Sequence, residues 1–548
     1  MQERIKIFAL GGLDENGKNM YCIDIDNEII IIEAGLKYPE SQNLGIDIEI
    51  PTFDYLIENA NRVKGVFLTH AHYDAIGALP YLIKDLNIPI FASNLTAWIV
   101  EDRLKEANIK EYKIFRVSEN DKLKVSKNIT VLPFKTTHSI IQSLGLCIET
   151  KFGNIIFTSD FIIDFGLADE YKTDVNSLVS ISKKGVLALL TESVGAMRTG
   201  YTAPNHHIGA KVENIIAEAK GRIIVTAYTH SMYNIKEIAN VAVKYGYQVI
   251  FYNRDLQDLV HKQAKLGFPI IDKKHITNTN DINNNNIMII ISGSGIDLFE
   301  KLSSIATKAD DIVKPKKSDT FIIASPAIPG VENLSIKAID DIYRLDSNVL
   351  TFDSKTITSM HASEEDLKFM INLFKPKYYI PVKGDYINLI ANANIANKMG
   401  IDKDDVIVLE NGEVASFYNG KLENSRNKIE VSSMLIDGQT INDNNGIVLN
   451  DRLSLSKEGT IIIGIGLDKK HNNKPIIDIQ TRGFIYIKDS EYIIKHIYDN
   501  VLRIVESFSF KNSDDFNEAK TAIREVISKY VYKETSKRPI VLTMITSY

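Results

Sequence analysis

Cysteine is almost missing from this chain: two residues, Cys22 and Cys147, among 548. Two thiols cannot form the disulfide framework of a small secreted domain, so a redox-stapled extracellular fold is excluded. Long hydrophobic runs are missing as well. No apolar stretch approaches the roughly 18 residues that suggest a membrane span, and the longest, such as residues 459–467, are strand-sized. The opening MQERIKIFAL passes directly into GGLDENGK, without the apolar core and small-residue cleavage site of a signal peptide. These absences lead to the expectation of a cytoplasmic protein with no membrane partner. A strong charge of one sign is absent too. A net charge of −6 argues against holding nucleic acid through a global positive field. A local basic groove or a site of bound metal cations stays open.

What is present is a globular composition, 44% hydrophobic and 24% charged, which excludes disorder, collagen and a coiled coil as descriptions of the whole. At about 150 residues per domain, the length suggests three to four domains. The first 205 residues alternate short β-branched runs with amphipathic stretches. IIIIEAGL, GVFLTH (65–70), IPIFAS (88–93) and NIIFTSD (154–160) read as buried strands, and residues 79–86 and 95–107 as helices. From 206 to 357 a second α/β pattern runs through RIIVTAY, MIIIS and FIIAS, with the polar tract 278–286 as a surface loop. A helix (364–374) and a strand (378–382) follow. Residues 421–445 are polar and turn-rich and read as a linker. The last hundred residues, with strands TIIIGIGL and GFIYIK and helices near 490–507 and 515–533, suit a small α+β domain.

The sharpest feature is THAHYDAIGALP, residues 69–80, directly after the apolar strand GVFL. Two histidines and an aspartate at alternating positions, His70, His72 and Asp74, can converge on one cation, and imidazole with carboxylate suits zinc. His138 in PFKTTHS and Asp160 at the end of NIIFTSD are further ligand-like residues at strand ends. Ligands gathered from several strand ends are how a layered α/β fold builds a metal site. His206, His207 and His230 read as surface or packing residues, and the short Gly/Ser loop Ser292–Gly295 as either a plain turn or a loop lining a nucleotide channel.

The order His-x-His-x-Asp, then His, then Asp resembles the metallo-β-lactamase superfamily. The unit inserted at 206–357, followed by SMHAS (359–363) and VKGDY (382–386), resembles its nucleic-acid-processing β-CASP branch. Within that branch FALGGLDENGKNMY (8–21), ASPAIPGVEN (324–333), residues 361–386, TRGFIYIKDSE and the ending YKETSKRPIVL are similar to ribonuclease J. The resemblance implies a metallo-β-lactamase αββα sandwich in two parts (1–205 and 358–420), a β-CASP α/β domain (206–357), a linker (421–445) and a C-terminal α+β domain (446–548). It implies one zinc held by His70, His72, His138 and Asp160. It also implies a 5′-phosphate or RNA contact from Ser359, His361, Ala362, Ser363 and Ser325, and an acidic position at Glu192.

Three departures stand against the family pattern. Ala75 replaces the last histidine of the first motif, Lys383 replaces a late histidine, and Met360 replaces the glycine of the Ser-Gly-His-Ala-Ser loop. The family's second zinc would keep only Asp74 and Asp160. An ammonium at 383 would neutralise these carboxylates and compete against metal; the bland alternative has Lys383 pointing to solvent. A methionine at 360 would crowd the phosphate pocket, where glycine allows close approach. Asp74 and His361 are the catalytic candidates of this degraded site.

The function expected is RNA processing and decay, including rRNA processing and mRNA decay. The chain resembles a degenerate second paralogue of ribonuclease J, a weakly active or non-catalytic subunit acting with an active paralogue and binding at most one zinc. It would form a homodimer when alone. The alternative is an active one-zinc 5′→3′ exoribonuclease with endonuclease activity. A small-molecule hydrolase of the β-lactamase kind is disfavoured by the insertion and the C-terminal domain.

Overall fold

The computed structural model describes residues 2–39, 45–119, 121–328, 331–424, 427–438, 440–441, 447–468, 474–485 and 491–547. The chain forms two compact units, residues 1–38 with 48–434, and residues 39–47 with 435–548. Among the described residues no helix is long and apolar enough to cross a membrane. Both cysteines are free, buried thiols.

The first unit is built on two stacked sheets. One carries the strands Glu413–Tyr418, Arg4–Gly11, Met20–Ile25, Glu28–Ile32, Val63–Leu68, Ile90–Ala92 and Ile114–Arg116 in that spatial order. The other runs Tyr378–Val382, Val186–Glu192, Asn154–Phe157, Leu144–Glu149, Thr130–Lys135. Their facing side chains, among them Ile23, Ile32, Phe67, Leu146, Phe157 and Ile380, share one core. The outer face of the second sheet is sealed by the helices Val175–Ser182, Glu364–Phe374 and Tyr386–Lys398, through Leu178, Leu367, Met370 and Ala396. This is the αββα sandwich that the sequence suggests.

The insert is a sheet of five parallel strands among the described residues, in the order Gln248–Phe251, Ile287–Gly293, Ile223–Tyr228, Thr320–Ile323, Asn348–Thr351. Helices cover both of its faces, which explains why RIIVTAY and MIIIS read as unbroken apolar runs rather than alternating ones. One of its two cores includes Leu95, Ile140, Ile141 and Ile162 of the sandwich, so the insert packs directly against the strand-end loops of the first sheets.

The stretch read as a linker carries short strands, Lys421–Leu422 and Asn427–Lys428, both paired with Glu413–Tyr418. Residues 425–426, 439 and 442–446 lie outside the described residues. In the second unit Thr460–Leu467 is flanked by Ile476–Arg482 and, in parallel, by Ile540–Ser547. Its isoleucines 461, 463 and 465 point at the helices Glu491–Glu506 and Ser513–Thr535. Of the strand expected at GFIYIK, residues 486–488 lie outside the described residues, and Gly483, with φ of 65°, turns the chain after the strand Ile476–Arg482. That strand, IIDIQTR, has its alternation hidden by a half-polar face.

Candidate metal centre

Parallel strands end at the same edge of a sheet, and side chains leaving those ends converge. Glu28–Ile32 runs parallel to Val63–Leu68, and Asn154–Phe157, Val186–Glu192 and Tyr378–Val382 run parallel in the other sheet. Glu33, His70, Asp160, Glu192 and Lys383 all follow or finish these strands. Three non-glycine residues at the turns, Glu33, Ser159 and Lys383, adopt left-handed φ values of 64°, 57° and 58°. Such backbone is uncommon outside glycine and tends to gather at functional sites. Gly35 is required for the same assembly: a Cβ there would stand 1.5 Å from the Asp74 carbonyl oxygen. Its absence lets the 69–80 loop bond along residues 34–36, through Ala34 N–H to Ala75 O at 2.7 Å and Leu36 N–H to Tyr73 O at 2.9 Å.

His70, His72, His138 and Asp160 are buried with their ligand atoms within 4.8 Å of one another. The outer nitrogen of each ring has an acceptor. His138 Nδ1–H donates to the Met360 carbonyl (2.9 Å) and His72 Nε2–H to the His230 carbonyl (3.2 Å). Thr69 donates its hydroxyl proton to Glu33 (2.6 Å), so its oxygen accepts from His70 Nδ1–H (2.9 Å). The inner nitrogens therefore hold lone pairs. His72 Nδ1 and His138 Nε2 face each other at 3.2 Å, and His70 Nε2 stands 3.3 Å from Asp160 Oδ2. His70 Nε2 and Asp160 Oδ2 are buried with no hydrogen-bond partner. Lone pairs aimed at one point, each ring steered by an outer acceptor, fit a zinc-class cation. Burial, then the neighbouring imidazoles, hold His72 and His138 well below the ordinary histidine value, so the rings are in their ligating neutral form.

This neutrality makes the metal-free chain acid-sensitive. His72 and His138 are depressed, and burial lowers His230 to about 4. The unfolded chain takes up protons at these rings below about pH 6.5 while the folded chain does not, so stability drains away as pH falls. His361, raised, works in the opposite direction but is one ring against four, since His206 is lowered to about 4 as well. Thermal melts of chelated protein should give a lower Tm at pH 5.5 than at 7.5. Added zinc should raise Tm more at 7.5, because protons compete with metal for the rings. A Tm that rises on acidification contradicts this account.

Lys383 does not face solvent. Its ammonium is 2% exposed and lies 3.0 Å from Asp160 Oδ1 and 3.0 Å from both carboxylate oxygens of Glu33. Burial alone would lower its pKa, but Asp160, Glu33 and Asp74 drive it well above the usual lysine range. Burial would raise Asp160, yet Lys383 and then His70 hold it well below the carboxylate norm. Glu33 is raised by burial despite Lys383. Asp74 takes a hydrogen bond from Asn19 Nδ2 at 2.9 Å. Ala75 is fully buried. Sequence reading missed Glu33, although a carboxylate closing the apolar run IIIIE has the same form as Asp160 closing NIIFTSD.

His361 Nδ1 bonds Glu192 at 2.7 Å and lies 4.0 Å from Asp160. Burial would depress this imidazole, but Glu192 and then Asp160 raise it. The 359–363 loop is held by Arg198, also missed from sequence, which donates to the Ser359 carbonyl at 3.1 Å and the His361 carbonyl at 2.8 Å. Gly195 permits this: a Cβ there would lie 2.3 Å from the Ala362 carbonyl oxygen. Ala362 N–H donates to Glu192 (3.0 Å), and Ser363 caps the helix Glu364–Phe374 in a capping box with Asp366. Met360 is buried in the core shared with the insert. Ser325, bonded to Thr226 at 2.6 Å, sits in the insert and is not part of the cluster around Asp160. His230 packs between Tyr228 and His72, in keeping with a packing residue. His206 is buried and His207 half-buried, both beside Asp164.

A two-sheet sandwich with imidazoles and a carboxylate at its strand ends, interrupted by a parallel α/β insert, defines a metallo-β-lactamase protein of the β-CASP type. Family comparisons agree domain by domain. Residues 49–169 match the beta-lactamase superfamily domain and 220–342 the ribonuclease J beta-CASP domain. Residues 353–404 match the Zn-dependent metallo-hydrolase RNA specificity domain and 447–548 the ribonuclease J C-terminal domain. The chain is 34% identical over 548 residues to proteins called Ribonuclease J 2 from Staphylococcus epidermidis and Staphylococcus aureus, covering 99% of this chain and 98% of each relative. It belongs to the ribonuclease J family, whose function is RNA processing. A solved protein of unknown function from Enterococcus faecalis shares the fold, with a TM-score of 0.53 at 14% identity over 76% of this chain and 100% of that one.

Proposed function

We propose that this chain is a one-cation ribonuclease J-like subunit, weakly active or non-catalytic, that acts in RNA processing and decay beside an active ribonuclease J paralogue. The observation that carries the reading is the Lys383 ammonium, 3.0 Å from Asp160 and Glu33, at the position to which the family resemblance assigns a ligand of the second zinc. Two-metal phosphodiester hydrolysis clamps the attacking oxygen with one cation and the leaving oxygen with the other. A fixed ammonium supplies one charge, no open coordination position and no bound water to ionise. His70, His72, His138 and Asp160 would hold the remaining zinc, which when bound lowers the pKa of water and polarises phosphoryl oxygen.

The chain's own residues leave one route to residual activity. Glu192 and Asp160 draw His361 toward its protonated form, from which it can give a proton to a leaving ribose oxygen. That pair supports weak hydrolysis rather than none.

Assembly through the C-terminal unit is supported by its outer sheet face. Ile476, Met544 and Leu542 are 63%, 61% and 48% exposed there, around the flat stripe of Gly464 and Gly466. Contiguous exposed apolar surface marks an interaction site. The test measures decay of 5′-monophosphorylated RNA and light scattering together. The chain alone should degrade RNA little faster than its His70→Ala variant, should scatter as a dimer, and should form a heteromer with an active paralogue. Leu542→Glu with Met544→Glu should abolish both assemblies. Robust zinc-dependent decay by the chain alone, or a monomer, contradicts the proposal.

A further inference from the structure

A second cluster of metal-ligand type lies outside the centre described above and shares no residue with it. Asp164 follows the loop that leaves the strand Asn154–Phe157, while His206 and His207 open the insert just before its helix Gly209–Glu218. Asp164 Oδ1 is taken by the Gly166 N–H at 2.7 Å, which leaves Oδ2 facing both imidazoles. His207 Nε2 lies 3.0 Å from that oxygen and His206 Nε2 3.2 Å.

We propose that Asp164, His206 and His207 bind a divalent cation of the zinc class at the seam between the sandwich and the insert. The orientation of His207 is set from outside. Glu237 Oε2 accepts the backbone N–H groups of Ile208 (2.7 Å) and Gly209 (3.1 Å), so this carboxylate is fixed at the start of a helix. Its Oε1 takes His207 Nδ1–H at 2.6 Å and the Tyr233 hydroxyl at 2.9 Å. A carboxylate accepting from the outer nitrogen is the usual support of a metal-bound histidine, and it leaves the Nε2 lone pair pointing at Asp164.

His206 supplies the independent observation. It is 0% exposed, its Nε2 is aimed at Asp164 Oδ2 3.2 Å away, and neither ring nitrogen makes a well-formed hydrogen bond, the nearest backbone acceptor being that of Thr202.

The competing arrangement is an imidazolium at His207 bridging Asp164 and Glu237. It accounts for His207 and leaves His206 unexplained. Ligand atoms bound at about 2.0–2.2 Å in a tetrahedron stand roughly 3.3–3.5 Å apart. The observed 3.0 and 3.2 Å separations reach that arrangement with shifts of a few tenths of an ångström. The exposed edge of His207, at 28%, leaves the fourth position to water. A cation there would clip the insert's first residues to the sandwich.

The test uses the full-length protein, loaded with zinc and freed of excess by gel filtration. Metal content should fall by one equivalent in His206→Gln/His207→Gln and in Asp164→Asn, while His138→Ala loses a different equivalent. An anomalous difference map at the zinc edge on the unmodified protein, which needs no variant to fold, should show density between Asp164 and the two rings. Chelation should lower Tm less in Asp164→Asn than in the unmodified chain. Unchanged zinc content in both variants, or no anomalous density at the seam while the centre around Asp160 is filled, overturns the proposal. Because the seam shares no ligand with that centre, either result is independent of the proposed one-cation function.

Discussion

Replacing Lys383 with methionine should lower the stability of the metal-free chain by about 3–5 kcal/mol at pH 7, the cost of removing one partner from a buried ion pair. Methionine keeps the length of the stem, so packing changes little. What changes is charge: Asp160 and Glu33, 1% and 0% exposed, then face each other without a cation. At least one of them must take up a proton to relieve the repulsion, so the deficit should shrink as pH falls toward 4. Glu33 is the one to protonate first, since it is raised even with the ammonium in place. Adding Glu33→Gln to Lys383→Met should recover part of the loss, because a neutral amide removes the like charge. Urea melts at pH 7 and pH 4.5 measure this. A loss below about 1 kcal/mol, the scale of an exposed ion pair, would mean that Lys383 does not hold the two carboxylates.

The second large effect is a gain. Ala75→His combined with Lys383→His should restore the second ligand set that the family resemblance implies, and raise metal-dependent decay of 5′-monophosphorylated RNA. The expected factor is about 100-fold or more, the size seen when one preorganised contact to transition-state charge is added or lost. Each single change should do little. Ala75→His alone leaves the ammonium in competition with metal, and Lys383→His alone leaves the site short of one imidazole. Equal gains from a single change contradict the account. Ala75 is fully buried, and the neighbouring Ala34 and Gly35 press on the same loop. A silent double variant should therefore be checked for a lowered Tm before the second site is judged.

Much of the architecture was legible because its strands are buried on both faces. RIIVTAY, MIIIS and NIIFTSD are short apolar runs closed by polar residues, a pattern that survives without any tertiary knowledge. IIDIQTR is not legible as a strand, since a strand with one wet face reads as mixed sequence. At the centre, His70, His72, His138 and Asp160 were readable from residue type and position after strands, and they are brought together. Lys383 was readable as a charge substitution at a ligand position. Its second partner Glu33 was not read, although it closes the apolar run IIIIE as Asp160 closes NIIFTSD, because it belongs to no ligand motif. Arg198 was invisible for a related reason: its targets, the carbonyls of Ser359 and His361, are backbone atoms some 160 residues away. The resemblance implies a phosphate contact from Ala362 and Ser363; in the structure the Ala362 N–H meets Glu192 and Ser363 caps the helix Glu364–Phe374, roles that only a structure reveals.

The central claim, that an ammonium occupies the position of a second cation, is tested most directly by an anomalous difference map of crystals soaked in zinc. The account predicts one peak among His70, His72, His138 and Asp160, with the Lys383 ammonium in contact with Asp160 and Glu33. A second peak about 3.5–4 Å from the first, the spacing of two-metal sites, held by Asp74 and Asp160 with Lys383 displaced, would contradict it.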